Sequence, residues 1–302
     1  VKVRIGVGLG TRTRLHDPTF GTVVDTLERL GFDSLWLSEK IGGEAPDPLV
    51  AMAYGAGRTT RLKFGTSVMV LPGRNPVVLA KELATLATMS GGRLLPAFGL
   101  GAVDALEQQA FGVERTARAR LFDESLAVLR QCWGGEPVVH HGEVFHYDGV
   151  RVLPVPRRLD VWLGGIAPSE LRRVGRLADG WLPSFVTPED AERGRLTIES
   201  VCREHDREIE DDHYGVLVPY TLGEVPAPLA AFLAARRPDL DDPLSLVPRG
   251  WEQLAALIER FVAVGTTKFV VLPLDEPGDA DTWTEHLEQA AAALLPLERT
   301  LP

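Results

Sequence analysis

The sequence predicts a single (β/α)8 barrel spanning residues 1–302, and three observations lead there. Short β-rich runs alternate strictly with longer helical patterns. Eight such strand–helix pairs occur along the chain. A length of 302 residues with 45% hydrophobic content suits one large core better than several small ones. Strict alternation implies a parallel sheet with right-handed crossovers, and eight units favour closure over an open sheet. Two stretches interrupt the pattern, 134–158 after strand four and 222–250 after strand seven, and read as insertions.

The elements follow in order. A strand at 5–9 precedes a helix over 20–30, whose Val23, Val24, Leu27 and Leu30 share one face and which Gly31 closes in a left-handed conformation. A strand at 34–37 precedes a helix at 48–58. A strand at 64–70 precedes a helix at 76–89, opened by proline in its first turn. The fourth strand, 94–98, leads into a long helical region ending near Trp133. Strand-like 138–141 and 144–147 then flank Gly142-Glu143 as a β-hairpin. Alternation resumes with a strand at 161–163, a helix at 169–178, a strand at 181–182 and a charged helix from 188 to about 208. The last units are strands at 216–220 and 268–272 with helices at 251–264 and 281–295. The proline-rich stretch 222–250 is too long for an ordinary connection and reads as an insertion or lid shaping a pocket entrance.

A formal net charge of −10 offers no broad basic field, so nucleic acid and anionic membranes are not expected partners, whereas a few local donors suffice for an anionic cofactor. Cys132 and Cys202 lack metal-type spacing and read as buried thiols without a disulfide. No metal site is expected. No apolar run approaches the length of a membrane span and the first residues run straight into a strand, so the chain reads as soluble and cytoplasmic. Neither a Ser-His-Asp order nor a CxxC is present, and His140-His141 reads as surface strand in the hairpin.

In a barrel, functional groups gather in the loops after the strands. After strand one come Arg12, Arg14 and His16, a rim able to meet an anionic substrate. Gly6, Gly8 and Gly10 have G-x-G-x-G spacing, not the dinucleotide fingerprint, and read as leaving room in the barrel mouth for a planar ligand. After strand two, Ser38, Glu39 and Lys40 supply a hydroxyl, a carboxylate and an amine suited to acid, base or cofactor contact. Strand three carries Ser67, Val68 and Met69, and strand four exits at Gly99. Gly164-Gly165-Ile166 opens a helix and presents free N–H groups to an anion, with Ser184 on the neighbouring rim.

Three ordered blocks, residues 31–39, residues 64–94 and residues 161–183, resemble the luciferase-like monooxygenase superfamily, and 265–270 extends the likeness to the last strand. The resemblance implies a barrel holding the deazaflavin coenzyme F420, or alternatively reduced FMN, with the ring backed by a bulge at Ser67, Val68 and Met69. It implies a non-prolyl cis peptide between Ser67 and Val68, a phosphate cradle at Gly164, Gly165, Ile166 and Ser184, and Ser38, Glu39 and Gly99 around the ring. The expected chemistry is hydride transfer to or from a small organic substrate. Glu39, Lys40 and His16 are the proton candidates in falling order. The alternatives are an FMN-dependent monooxygenase and a non-catalytic cofactor-binding protein. A homodimer rests on the resemblance alone. The deazaflavin-dependent sugar-phosphate dehydrogenases carry a histidine where this chain has Lys40 and an acid where it has Ala102, which puts that substrate and that proton relay in doubt.

Overall fold

Strands buried on both faces form the staves of the barrel, because a packed lumen covers one face and helices the other. The computed structural model describes residues 1–14 and 18–301. β1 (Arg4–Leu9), β2 (Ser34–Leu37) and β3 (Lys63–Thr66) are almost wholly buried. β4 (Met69–Val70) prolongs β3, and β6 (Ala97–Gly99) prolongs β5 (Leu94–Leu95) beyond Pro96. β7 (Val138–His141) and β8 (His146–Val150) pair antiparallel as a hairpin outside the ring. β9 (Trp162–Leu163), β10 (Gly180–Trp181), β11 (Gly215–Tyr220) and β12 (Lys268–Pro273) supply the rest. β11, β12, β1, β2, β3 and β5 pair in that order, and β10, β9, β6 and β4 in theirs. Parallel bridges from Trp181 to Tyr214 and from Ser184 to Leu217 join β10 to β11, which closes the eight-stave barrel.

The helices wrap the outside: α1 (Thr19–Leu30), α2 (Pro48–Arg58), α3 (Pro76–Met89), α4 (Ala105–Phe111), α5 (Arg118–Trp133), α6 (Pro168–Leu177), α7 (Pro188–Glu204), α8 (Ala227–Arg236), α9 (Gly250–Ala263) and α10 (Ala280–Leu294). Gly31 closes α1 at φ 90° with its N–H on the Leu27 carbonyl. The long helix expected before Trp133 is two, because Gly112 at φ 64° caps α4 in the left-handed conformation. The third stave, expected as one strand, divides at a cis Ser67–Val68 peptide. Among the described residues no helix is long and apolar enough to cross a membrane. Cys132 and Cys202 are free and buried.

Tryptophan fills the lower lumen. Trp36 and Trp162 are buried with Ala97, Leu182 and Val270, their rings edge to face at 6.1 Å. A Cβ at Gly65 would lie 2.4 Å from the Trp36 ring, one at Gly6 2.3 Å from Ser34 Oγ, and one at Gly180 2.5 Å from Trp162. Gly8 faces Val270 at 3.0 Å on the same measure. The glycines of β1 therefore make space for core side chains and not, as the sequence suggested, for a ligand. Two large aromatic rings thus fill the lumen at this level.

The stretch 222–250 folds as α8 and a 3-10 turn, Pro243–Leu246. Its Leu233, Leu246 and Val247 pack with Phe185 and Leu274. Buried Arg237 donates to the Phe185 carbonyl at 2.9 Å and pairs with Asp190 at 2.8 Å. This fastens the stretch to the segment after β10.

Candidate active site

The floor set by Trp36 and Trp162 leaves a cavity of about 400 Å³ at the C-terminal ends of the staves, where barrel enzymes carry their sites. Val68, Phe98, Leu163, Leu182 and Leu217 give it an apolar bed, and Ser38, Glu39 and Ser67 border one side. Gly164, Gly165, Glu170, Arg173 and Ser184 form its polar end. Of the residues expected from sequence, Ser38, Glu39, Ser67, Val68, Gly99, Gly164, Gly165 and Ser184 line this one cavity.

The third stave sets the bed. Ser67 donates its N–H to the Leu37 carbonyl at 2.8 Å, and Ser38 Oγ donates to the Ser67 carbonyl at 3.2 Å, so β2 holds the turn between β3 and β4. Val68 is half-buried, and Gly99 leaves space for it: a Cβ there would meet Val68 Cγ2 at 2.5 Å. Ser67 Oγ is buried and finds no hydrogen-bond partner among the described residues. A buried hydroxyl without a partner is costly unless something completes it. This orphan, beside an apolar bed, fits the polar edge of a heteroaromatic ring.

Glu39 braces the same wall. Its Oε2 accepts the Val70 N–H at 2.7 Å and its Oε1 pairs with Arg74, whose Nε donates to the Val70 carbonyl at 2.9 Å. The carboxylate is 3% exposed. Burial raises its pKa, with Asp47 adding to the rise, while Arg74 and the Val70 N–H oppose it.

At the polar end, Trp181 Nε1 donates to the Gly165 carbonyl at 2.9 Å and fixes the turn, which Gly165 makes at φ 93°. Arg173 is 14% exposed, donates from Nε to Asp123 at 2.6 Å and lies over the Phe122 ring. With Ser184 it gives a cation and a hydroxyl suited to an anionic tail. The N–H groups of Ile166 and Ala167 are already taken, at 3.0 and 2.9 Å, by the Glu170 carboxylate.

Other expected residues sit elsewhere. Lys40 is exposed and Met69 fully buried, and neither is among the described residues lining the cavity. Ile166 is half-buried beside the polar end, and its expected anion-binding N–H is bound to Glu170. His16 lies outside the described residues. None of 222–250 lines the cavity either, though the stretch packs on Phe185, next to Ser184. Sequence reasoning missed Arg74, Glu170 and Arg173. Arg74 sits just past a strand end and Glu170 at the third position of a helix, so their places were readable and their contacts were not.

The family model for luciferase-like monooxygenases matches residues 4–268. The chain is 32% identical over 169 residues to a protein of Kineococcus radiotolerans named F420-dependent glucose-6-phosphate dehydrogenase, covering 51% of this chain and 49% of that one. The chain thus spans about half the length of such curated relatives. In structure it is similar to monooxygenase RslO1 from Streptomyces bottropensis, with a TM-score of 0.79 and 20% identity over 97% of this chain and 99% of that one. It is also similar to an F420-dependent secondary alcohol dehydrogenase solved with an F420–acetone adduct, with a TM-score of 0.76 and 19% identity over 96% and 99%. At these identities the two structures speak for the fold.

Proposed function

The chain belongs to the luciferase-like monooxygenase family, and from that premise we propose an oxidoreductase that passes hydride between the deazaflavin coenzyme F420 and a small organic substrate. The observation that carries this is the division of one cavity into an apolar bed with an orphan hydroxyl, Ser67, and a polar end with Arg173 and Ser184. That is the chemistry of a planar ring with an anionic tail. Relatives named for F420 support the deazaflavin.

When bound, the deazaflavin supplies a ring carbon that takes or returns a hydride. The chain's own groups do the rest. Trp36 and Trp162 fill the lumen below, Val68 backs the ring, and Ser38, Ser67 and Gly99 border it. Gly164, Gly165 and Ser184 hold the anionic end with Arg173. Glu39 is the group assigned to carry the accompanying proton, since it lines the cavity, as Lys40 does not, and burial raises its pKa. Ala102 stands in the wall, at the position where the resemblance puts an acid in the sugar-phosphate dehydrogenases, and this speaks against a sugar-phosphate substrate. A homodimer across α2 and α3 completes the proposal.

The test is a pair of fluorescence titrations, F420 and FMN, followed by redox exchange over a panel of alcohols, aldehydes and enones. F420 binding with hydride exchange on one of them is the expected result. Tight FMN binding without F420 binding would instead make this a flavin monooxygenase. F420 binding without exchange on any substrate would make it a carrier.

A further inference from the structure

The polar end of the cavity holds an anion of its own. Glu170, in the first turn of α6, folds back over Gly165 so that one carboxylate oxygen takes the N–H groups of both Ile166 and Ala167. The glycine is what admits it, since a Cβ at position 165 would lie 2.5 Å from Glu170 Cδ. The positive end of a helix normally welcomes a ligand's anion. Here the donors nearest that position are satisfied by a resident carboxylate that also lines the cavity.

Among the described residues Arg173 is the one cation that lines the cavity, and it is not free. Arg173 is tied to Asp123 at 2.6 Å, and Asp123 also takes Arg176 at 3.3 Å. The cavity's polar end therefore carries one guanidinium already shared with Asp123 and the carboxylate of Glu170. An incoming phosphate meets Ser184, one shared guanidinium and a fixed negative charge. The repulsion from Glu170 scales with the phosphate's own charge. A phosphodiester carries a single negative charge at neutral pH, whereas a phosphomonoester, whose second ionisation falls at about pH 6, carries nearly two.

We propose that Glu170 is a specificity-determining residue that admits a phosphodiester monoanion, as in F420, and rejects a phosphomonoester dianion, as in FMN. This rests on the cofactor reading above and supplies its electrostatic cause.

The measurement is equilibrium binding of F420 and of FMN to the whole chain at about pH 8, where the monoester is doubly charged, for the wild type and for Glu170→Gln. The amide keeps an oxygen for the two N–H groups and loses only the charge, and circular dichroism checks that the fold survives. Loss of that charge is expected to narrow the ratio of FMN to F420 dissociation constants by roughly tenfold, through tighter FMN binding. In the wild type alone, FMN is expected to bind more tightly as the pH falls to about 5.5 and its second charge is lost. An unchanged ratio in Glu170→Gln, with F420 still bound by the wild type, would overturn the role of Glu170 and leave the function standing. A wild type that prefers FMN, or binds neither cofactor, would overturn both.

Discussion

At Glu39, burial and hydrogen bonding pull against one another. Burial favours the neutral acid, while the Val70 N–H and Arg74 favour the carboxylate, and the balance leaves its pKa raised. A raised carboxyl on a cavity wall suits a general base: the carboxylate is the active form, so kcat/KM for alcohol oxidation should rise with pH through that raised pKa. Glu39→Gln is expected to lower kcat by about 10²- to 10⁴-fold and to erase that limb of the pH profile. A surviving limb, seen in steady-state rates across pH, would reduce Glu39 to a brace for β4. Its position was legible as a polar residue at a strand end. Its partner Arg74, 35 residues on, was not, because spacing along the chain says nothing of which loops the closed barrel brings together. The same holds at Trp36: that Gly65 faces its ring follows from the register of β2 and β3, which pairs Trp36 with Gly65.

Among the elements, α2 and α3 present a groove of about 660 Å³ to the outside, lined by Leu49, Val50, Ala53, Leu86 and Met89 with Asp47, Arg74, Lys81 and Glu82. Val50 is 69% exposed and Met89 83%. Contiguous exposed apolar side chains edged by both signs of charge suit a two-fold contact, in which acidic and basic residues of one copy meet their opposites on the other. Arg74 reaches from this groove to Glu39, so the proposed interface backs onto the proposed site. Val50→Glu places a charge on each side of the axis and, at so exposed a position, should leave the fold intact. Light scattering is expected to show a dimer for the wild type and a monomer for the variant, and a monomeric wild type at tens of micromolar would end the idea. The helices themselves were legible from their apolar spacing and from the prolines that open α2 and α3. The division of the long helix was missed although Gly112 stood in the sequence, since a glycine inside a helical pattern does not by itself tell an end from a tolerated interior residue.

For the whole barrel, closure depends on the end opposite the cavity, where the sequence showed only alternating strands. Asp33, just before β2, accepts from Lys63 at 2.9 Å, pairs with Lys268 and lies 3.6 Å from Arg4. Those cations begin β3, β12 and β1, so one carboxylate ties together four adjacent staves. Asp33 is 9% exposed and Lys268 3%. Burial opposes charge on both, but Lys268 and Lys63 hold the Asp33 carboxyl well below its usual range, and the ion pair is the state that follows. Breaking a buried pair from one side strands a charge at a cost of about 3–5 kcal/mol, whereas replacing both partners by apolar groups is often neutral. Asp33→Asn should therefore lose about that much stability in urea unfolding, and Asp33→Leu with Lys268→Met should recover most of it. The sign with pH follows from the lowered pKa: the unfolded chain takes up the proton first, so the contribution of Asp33 is present above about pH 4 and drains away as the pH falls below that. The wild type should lose stability there more steeply than Asp33→Asn. Equal slopes, or an Asp33→Asn cost under about 1 kcal/mol, would show that the staves close without this carboxylate, through the packing of β1, β2, β11 and β12 alone.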